Sequence, residues 1–313
     1  MTASGDSVLS MAAGILSKSV STVATFPISR GVALLQVEGA APALLGAPPR
    51  PYKAGFFGFA DVIRQTASSL GWRANWRGAP FAALAPAAVA PLTFAANDFV
   101  HSMMPRPAAG DQQSVGARLA ANVARGALAG ALTLPLSFFA GWPVLLAQAD
   151  LRPEGQRLPA RGHLGQLALR PALTASLVAR ALPVTALGVA VYRGLYFGLY
   201  NTLNESFNPM RRNQGAAGFV SKMGIGYATT LAAMFAAYPT RVVLSRLVVA
   251  NVAAAGANGG AGAPFVGVGE TARAAMAGRG VRGLYRGFMS NVTLAVAGAL
   301  MLVLYDGVKG MIA

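Results

Sequence analysis

Four cations lie inside apolar stretches of this chain: Lys18, Arg125, Lys222 and Arg241. A charged side chain at membrane depth is costly, so it is by default a candidate for holding an ion or a charged substrate. Near the end of a span the same long side chains can snorkel to the interface instead, and both readings stay open. Acids are scarcer. Of 10 Asp and Glu residues, only Asp98 and Asp306 fall clearly within apolar spans, both near one end. Each is followed three residues later by a possible base, His101 and Lys309, a spacing that puts both groups on one helix face. Such pairs can be ordinary helix-end charges at the interface. There is no cysteine, hence no disulfide, thiol nucleophile or thiolate metal site. His101 and His163 are far apart and lack metal-ligand spacing, and His163 reads as a loop-edge polar residue. With no nucleophile, metal or acid–base constellation, the sequence does not read as an enzyme, and neither catalytic cofactor nor metal is expected.

These residues must be positioned by membrane-spanning elements. The chain is 54% hydrophobic and 12% charged, against about 25% charged in soluble domains. Its apolar residues come in stretches long enough to cross a hydrocarbon core of about 30 Å. The net charge is +16. In a soluble protein that would suggest nucleic acid. Here the bases sit mainly in loops between spans, so anionic lipid is the expected partner and nucleic acid is not. The N-terminal stretch has no early basic region before its first span, so internal targeting signals are expected.

The spans repeat. Pro27 in VATFPISR, Pro135 in ALTLPLSFF and Pro239 in FAAYPTRVV stand in matching apolar contexts, 108 and 104 residues apart. FAANDF around Asp98, GLYNTL around Asn201 and VLYDGV around Asp306 recur at spacings of 103 and 105. Two landmarks at one period predict three repeats, 1–105, 106–209 and 210–313, forming one transmembrane domain. Each repeat reads as a long proline-containing span (7–37, 114–149, 215–250), a short amphipathic helix (56–69, 163–176, 266–277) and a second span (79–104, 183–207, 288–311). The fold class expected is an all-α membrane protein of six transmembrane helices. A proline inside a helix removes one hydrogen bond, so kinks are expected at Pro27, Pro135 and Pro239. Segments 38–78, 150–182 and 251–287 carry five, five and four Arg or Lys. The positive-inside tendency places them on the inner side and both termini on the other.

At this point the residues resemble the mitochondrial carrier family. Its signature is Pro-x-acid-x-x-base once per repeat, followed in many members by Gln, here Gln36. The aromatic-base-glycine element follows the short helix as Trp76-Arg77-Gly78 and Tyr285-Arg286-Gly287; the middle repeat has Ala179-Arg180-Ala181 there. YRGLYFGLYNT (192–202), SNVTLAVAGALMLVLYDGVK (290–309) and SRGVALLQV (29–37) look like segments of the ADP/ATP carrier branch. The resemblance implies a three-fold pseudo-symmetric mitochondrial inner-membrane protein, with short helices on the matrix side and termini in the intermembrane space. It implies a matrix-side ring of ion pairs, a brace at Gln36 and an opposite gate at Asp98, His101, Asp306 and Lys309. It further implies adenine contacts at Gly188, Val189 and Tyr192, substrate contacts at the adjacent Arg193 and at Arg246, the one arginine left where the branch has a run of three, and structural cardiolipin at Gly55, Arg77, Gly78, Gly267, Arg286 and Gly287. The patch on the fourth span can equally be inherited helix packing.

The charges depart from that pattern. The acid positions hold Ser29, Ser137 and Arg241, and the base positions Val32, Ala140 and Leu244, so no pair of the ring survives. Cavity cations of the branch align with Thr22, Ala85 and Leu294. A cycle needs contacts that differ between its states. The expectation from these losses is a transport-deficient chain serving as a structural subunit of a larger inner-membrane assembly, respiratory or ATP synthase. The alternative is an active carrier exchanging adenine nucleotides or another anion.

Overall fold

The computed structural model describes residues 3–40, 51–85, 95, 99–100, 102–104, 117, 120–121, 124–125, 128, 132, 140–156, 159–206, 216–257 and 266–297. Asp98, His101, Pro135, Ser137, Asp306 and Lys309 lie outside them. Among the described residues every regular element is helical. In chain order they are α1 (Ala3–Val37), α2 (Gly58–Leu70), α3 (Ala160–Leu169), α4 (Pro171–Ser206), α5 (Ala216–Ala257) and α6 (Val268–Met276). Residues 79–85, 140–149 and 288–297 are helical as well. Leu16–Val37 in α1, Pro171–Tyr200 in α4 and Gly224–Ala255 in α5 are long and apolar enough to cross a membrane. α1 and α5 run on through Pro27 and Pro239.

Where described, the first and last repeats follow the expected plan as far as the start of their second spans. α2 and α6 fall close to the predicted 56–69 and 266–277, and each presents one buried face, with Val62 and Gln65 on α2 and Thr271 and Ala275 on α6. A 3₁₀ turn follows each, Trp72–Trp76 and Gly280–Tyr285, and ends at a glycine in the left-handed region, Gly78 (φ 91°) and Gly287 (φ 83°). That conformation is open to glycine and strained for other residues. It breaks the chain before the helical stretches that begin at 79 and 288.

The middle repeat departs from the plan. Its short helix was expected over 163–176 with the next span starting at 183. Instead α3 stops at Leu169, Arg170 turns out of helical geometry (φ −121°, ψ 69°), and α4 runs unbroken for 36 residues. Pro171 is the cause of the early break: its ring disfavours helical geometry in the preceding residue, while its missing N–H is harmless at a first helical position. Ala179-Arg180-Ala181 is the cause of the long continuation, since both residue types are strong helix formers and no glycine is present to turn the chain. His163 corrects a second expectation. It is 3% exposed within α3 rather than at a loop edge.

The chain divides into two compact units. One comprises 1–91, 136–181 and 242–313, and the other 92–135 and 182–241. The first draws on all three repeats and holds the basic segments. Leu34 and Leu35 of α1 pack there with Tyr52, Val62 and Leu151. Gly31 lets α1 approach α2 closely, since a Cβ there would lie 2.8 Å from that of Phe59. Ser290 holds the start of α2 from the third repeat: its hydroxyl accepts from the Phe59 amide (3.2 Å) and donates to the Gly55 carbonyl (3.1 Å).

Candidate functional site

The second unit carries the aromatic and cationic patch. α4 and α5 run antiparallel there: Gly188 of α4 lies against Thr240 of α5, and Tyr200 reaches Gly226. Tyr192, Tyr196 and Tyr200, spaced four apart, share one face of α4. Their rings stack nearly parallel, with centroids 6.2 and 6.1 Å apart and interplanar angles of 8° and 12°. Tyr192 is exposed, Gly188, Val189 and Arg193 are half-buried, and Arg241 is exposed. Tyr192 lies in the electrostatic field of both Arg241 and Arg193. Neither guanidinium has a hydrogen-bond or acidic partner among the described residues. A flat aromatic face beside two such cations can take a planar ring with an anionic tail, through stacking and bidentate phosphate hydrogen bonds.

The structure therefore brings four of the sequence-derived substrate residues together on α4 and adds Arg241, which the sequence marked as an intramembrane cation and a lost acid position without linking it to this patch. Gly188 also has a packing role. A Cβ added to it would collide with the Thr240 hydroxyl, which donates to Ala237 O at 2.7 Å. Gly188→Ala should cost about 1–3 kcal/mol as overpacking. Thr240→Ala in the same chain should restore most of it, as read by a thermal-melt double-mutant cycle.

Arg246 belongs to the first unit and is 7% exposed. Its Nε donates to Gln36 O (2.8 Å) and its Nη2 to Glu38 O (3.1 Å), so the guanidinium is committed to the C-terminal end of α1. The last carbonyls of a helix lack intrahelical partners, and a cation there satisfies them and meets the negative end of the helix dipole. Gly39 (φ 77°) completes the end in the left-handed conformation common after a helix C-terminus. Gln36 also links α1 to α5, accepting through Oε1 from Ser245 at 3.3 Å.

The same device recurs. Arg30, 1% exposed, donates from Nε to Gln148 O (3.0 Å) and from Nη2 to Asp150 O (3.1 Å), at the end of the helical stretch 140–149. Arg170 donates to Ala255 O at 3.1 Å, near the end of α5. Arg77, 4% exposed, adds bonds to Asp150 O (3.1 Å) and Arg152 O (2.7 Å). Arg286 donates to Tyr52 O (2.6 Å) and pairs with Glu38 (2.6 Å), which also pairs with Arg279 (3.0 Å). Burial lowers the Arg286 pKa from its ordinary value, with Glu38 opposing that shift. The bond to the Asp150 carboxylate raises that of Arg152, and burial pushes Tyr52 up to about 12. Arg77 and Arg286, assigned from sequence to lipid phosphate, thus point their guanidinium groups inward.

Apart from the exposed Arg241, the ion-pair positions that are described carry no charge. Ser29 Oγ accepts from Gln148 Nε2 at 3.2 Å, Val32 is 1% exposed, and Ala140 and Leu244 are half-buried. Of the glycines assigned to lipid, Gly55, Gly78 and Gly287 are left-handed, whereas Gly267 is an extended N-cap of α6 (φ −81°, ψ 164°). Sequence reasoning missed Arg170, Glu38 and the capping role of Arg30. Their acceptors include backbone carbonyls that no residue type announces.

Comparison with known proteins agrees with this architecture. The family model for mitochondrial carrier proteins matches residues 4–107 and 215–313. The chain is 26% identical to a probable ADP,ATP carrier protein of Arabidopsis thaliana, over 90% of this chain and 83% of that protein. It is 27% identical to an ADP,ATP carrier protein of Kluyveromyces lactis, over 94% and 91%. It is also 27% identical to an ADP/ATP translocase of Thermothelomyces thermophilus, over 94% and 88%. The chain belongs to the mitochondrial carrier family, an all-α membrane fold of six transmembrane helices in three pseudo-symmetric repeats with short matrix helices.

Proposed function

We propose that this chain is an active carrier of the mitochondrial inner membrane that exchanges an adenine nucleotide or a chemically similar organic polyanion. The observation that carries the reading is the patch on α4 and α5: Arg193 and Arg241 stand beside the Tyr192 ring without an acidic partner among the described residues. Relatives named ADP,ATP carrier align over nearly the whole chain, which favours nucleotide among possible anions. The reading as a transport-deficient subunit of a respiratory or ATP synthase complex rests on missing gate charges. Buried arginine contacts between repeats supply interactions that could differ between states, so that absence no longer argues against a cycle.

The test is counter-exchange in liposomes with labelled ADP, ATP and phosphate. Saturable exchange of ADP or ATP supports the reading, whereas exchange of phosphate alone would count against the role of the aromatic face. Rates equal to protein-free liposomes for all three would overturn it. The basic segments face the matrix in this reading, with both termini in the intermembrane space, and the repeats divide near 105 and 209. Structural cardiolipin would be held by backbone N–H groups after Gly78 and Gly287, where the helix dipole favours phosphate. Cardiolipin should then raise the melting temperature more than phosphatidylcholine does, and equal melting temperatures would remove the lipid from the reading.

A further inference from the structure

The described helix ends in the first unit share a pattern that crosses repeats. The end of α1, in the first repeat, is gripped by Arg246 of the third. The end of residues 140–149, in the second repeat, is gripped by Arg30 of the first. The end of α5, in the third, is gripped by Arg170 of the second. The donors and acceptors close a cycle: first to second, second to third, third to first. A second tier reinforces two of these junctions, Arg77 at Asp150 and Arg152, and Arg286 at Tyr52 and Glu38. That tier is built on the aromatic-base-glycine turn. The middle repeat lacks the turn, and its Arg180 is an exposed residue within α4.

We infer that these arginine-to-carbonyl clamps are the gate that closes the basic-segment side of this carrier, doing with backbone acceptors what the three proline motifs, none of which holds an acid–base pair, do not do with ion pairs. In the closed state the guanidinium groups satisfy helix-end carbonyls of the neighbouring repeat. In the open state water replaces those bonds, an exchange that a charged donor and a polar carbonyl can make reversibly. This inference rests on the transport reading for its purpose, though its geometry does not.

The lack of cysteine allows a direct test. Val32 and Val248 are 1% and 0% exposed. Val32→Cys and Val248→Cys, made separately, give single reporters whose reaction with a membrane-impermeant maleimide in lipid nanodiscs measures opening. Labelling should be slow with all clamps present. Arg170→Ala should speed it about tenfold, the loss of one charge-assisted bond. Arg30→Ala should speed it less, because Arg77 still holds that junction, and Arg30→Ala with Arg77→Ala should match or exceed Arg170→Ala. Arg170→Lys, which keeps a donor, should fall between wild type and alanine. Melting temperatures taken on the same samples separate gating from general loosening. Unchanged labelling with lowered melting temperatures would reduce the clamps to static caps and overturn the inference, as would fast labelling with all clamps present. The readout needs no substrate. Absence of exchange in liposomes alongside the expected labelling order would defeat the transport reading and leave the closure standing.

Discussion

Arg193→Ala is expected to lower saturable ADP exchange by at least about thirtyfold, the effect of removing one partner of a desolvated charge pair worth about 2 kcal/mol or more. The side chain is half-buried on α4 beside Tyr192 and has no acidic partner among the described residues. A cation in that position gains little from the protein around it, so its removal should leave folding nearly unchanged. Its gain comes with a phosphate, whose oxygens it can meet with two parallel N–H bonds. Arg193→Lys should recover only part of the rate, since an ammonium keeps the charge without the planar fork. Arg241→Ala should weaken exchange less, because Arg241 is exposed and competes with water. Exchange unaffected by Arg193→Ala would show that the substrate does not use this patch.

The second large effect is on stability. Arg30→Ala should destabilise the fold by about 2–4 kcal/mol, from two buried charge-assisted hydrogen bonds and the Gln148 carbonyl left behind, since Asp150 O keeps its bond from Arg77. Arg30 is 1% exposed and its acceptors, Gln148 O and Asp150 O, stand at the end of a buried helical stretch. Water does not reach them readily when the donor is cut away. Arg30→Met tests the packing part of this cost, because it fills most of the volume without donating a bond. It should be nearly as damaging as alanine. Thermal melts in detergent read both, and a loss below about 1 kcal/mol, the scale of an exposed contact, would show that the clamp is solvated.

The long helices and the short ones of the outer repeats were legible because their signals are local. Proline context, apolar runs and glycine-ended turns sit in consecutive residues, and α1, α2, α5 and α6 fall close to where those signals put them. The middle repeat was misplaced because Pro171 moved the break earlier than its neighbours' pattern implied, and no glycine corrected it. The α4 patch was legible because Gly188, Tyr192 and Arg193 lie within two turns of one helix. Arg241 was not, since its relation to Tyr192 comes from helix pairing. The contacts of Arg246 were hidden for a similar reason. They are made to the end of a helix some 200 residues earlier, through atoms common to every residue.

That last property bears on how such a chain can change over generations. An ion pair ties two positions together, and a substitution at either one strands the other. A guanidinium on main-chain carbonyls constrains the donor alone. Gln148 or Ala255 could be replaced by most other residues and still offer the same oxygen atom. The matched acids and bases of the proline motifs could therefore drift away one by one without a stage at which the bundle lost its fastening, and the remaining sequence would record that history as motif decay while the mechanical connection stayed whole.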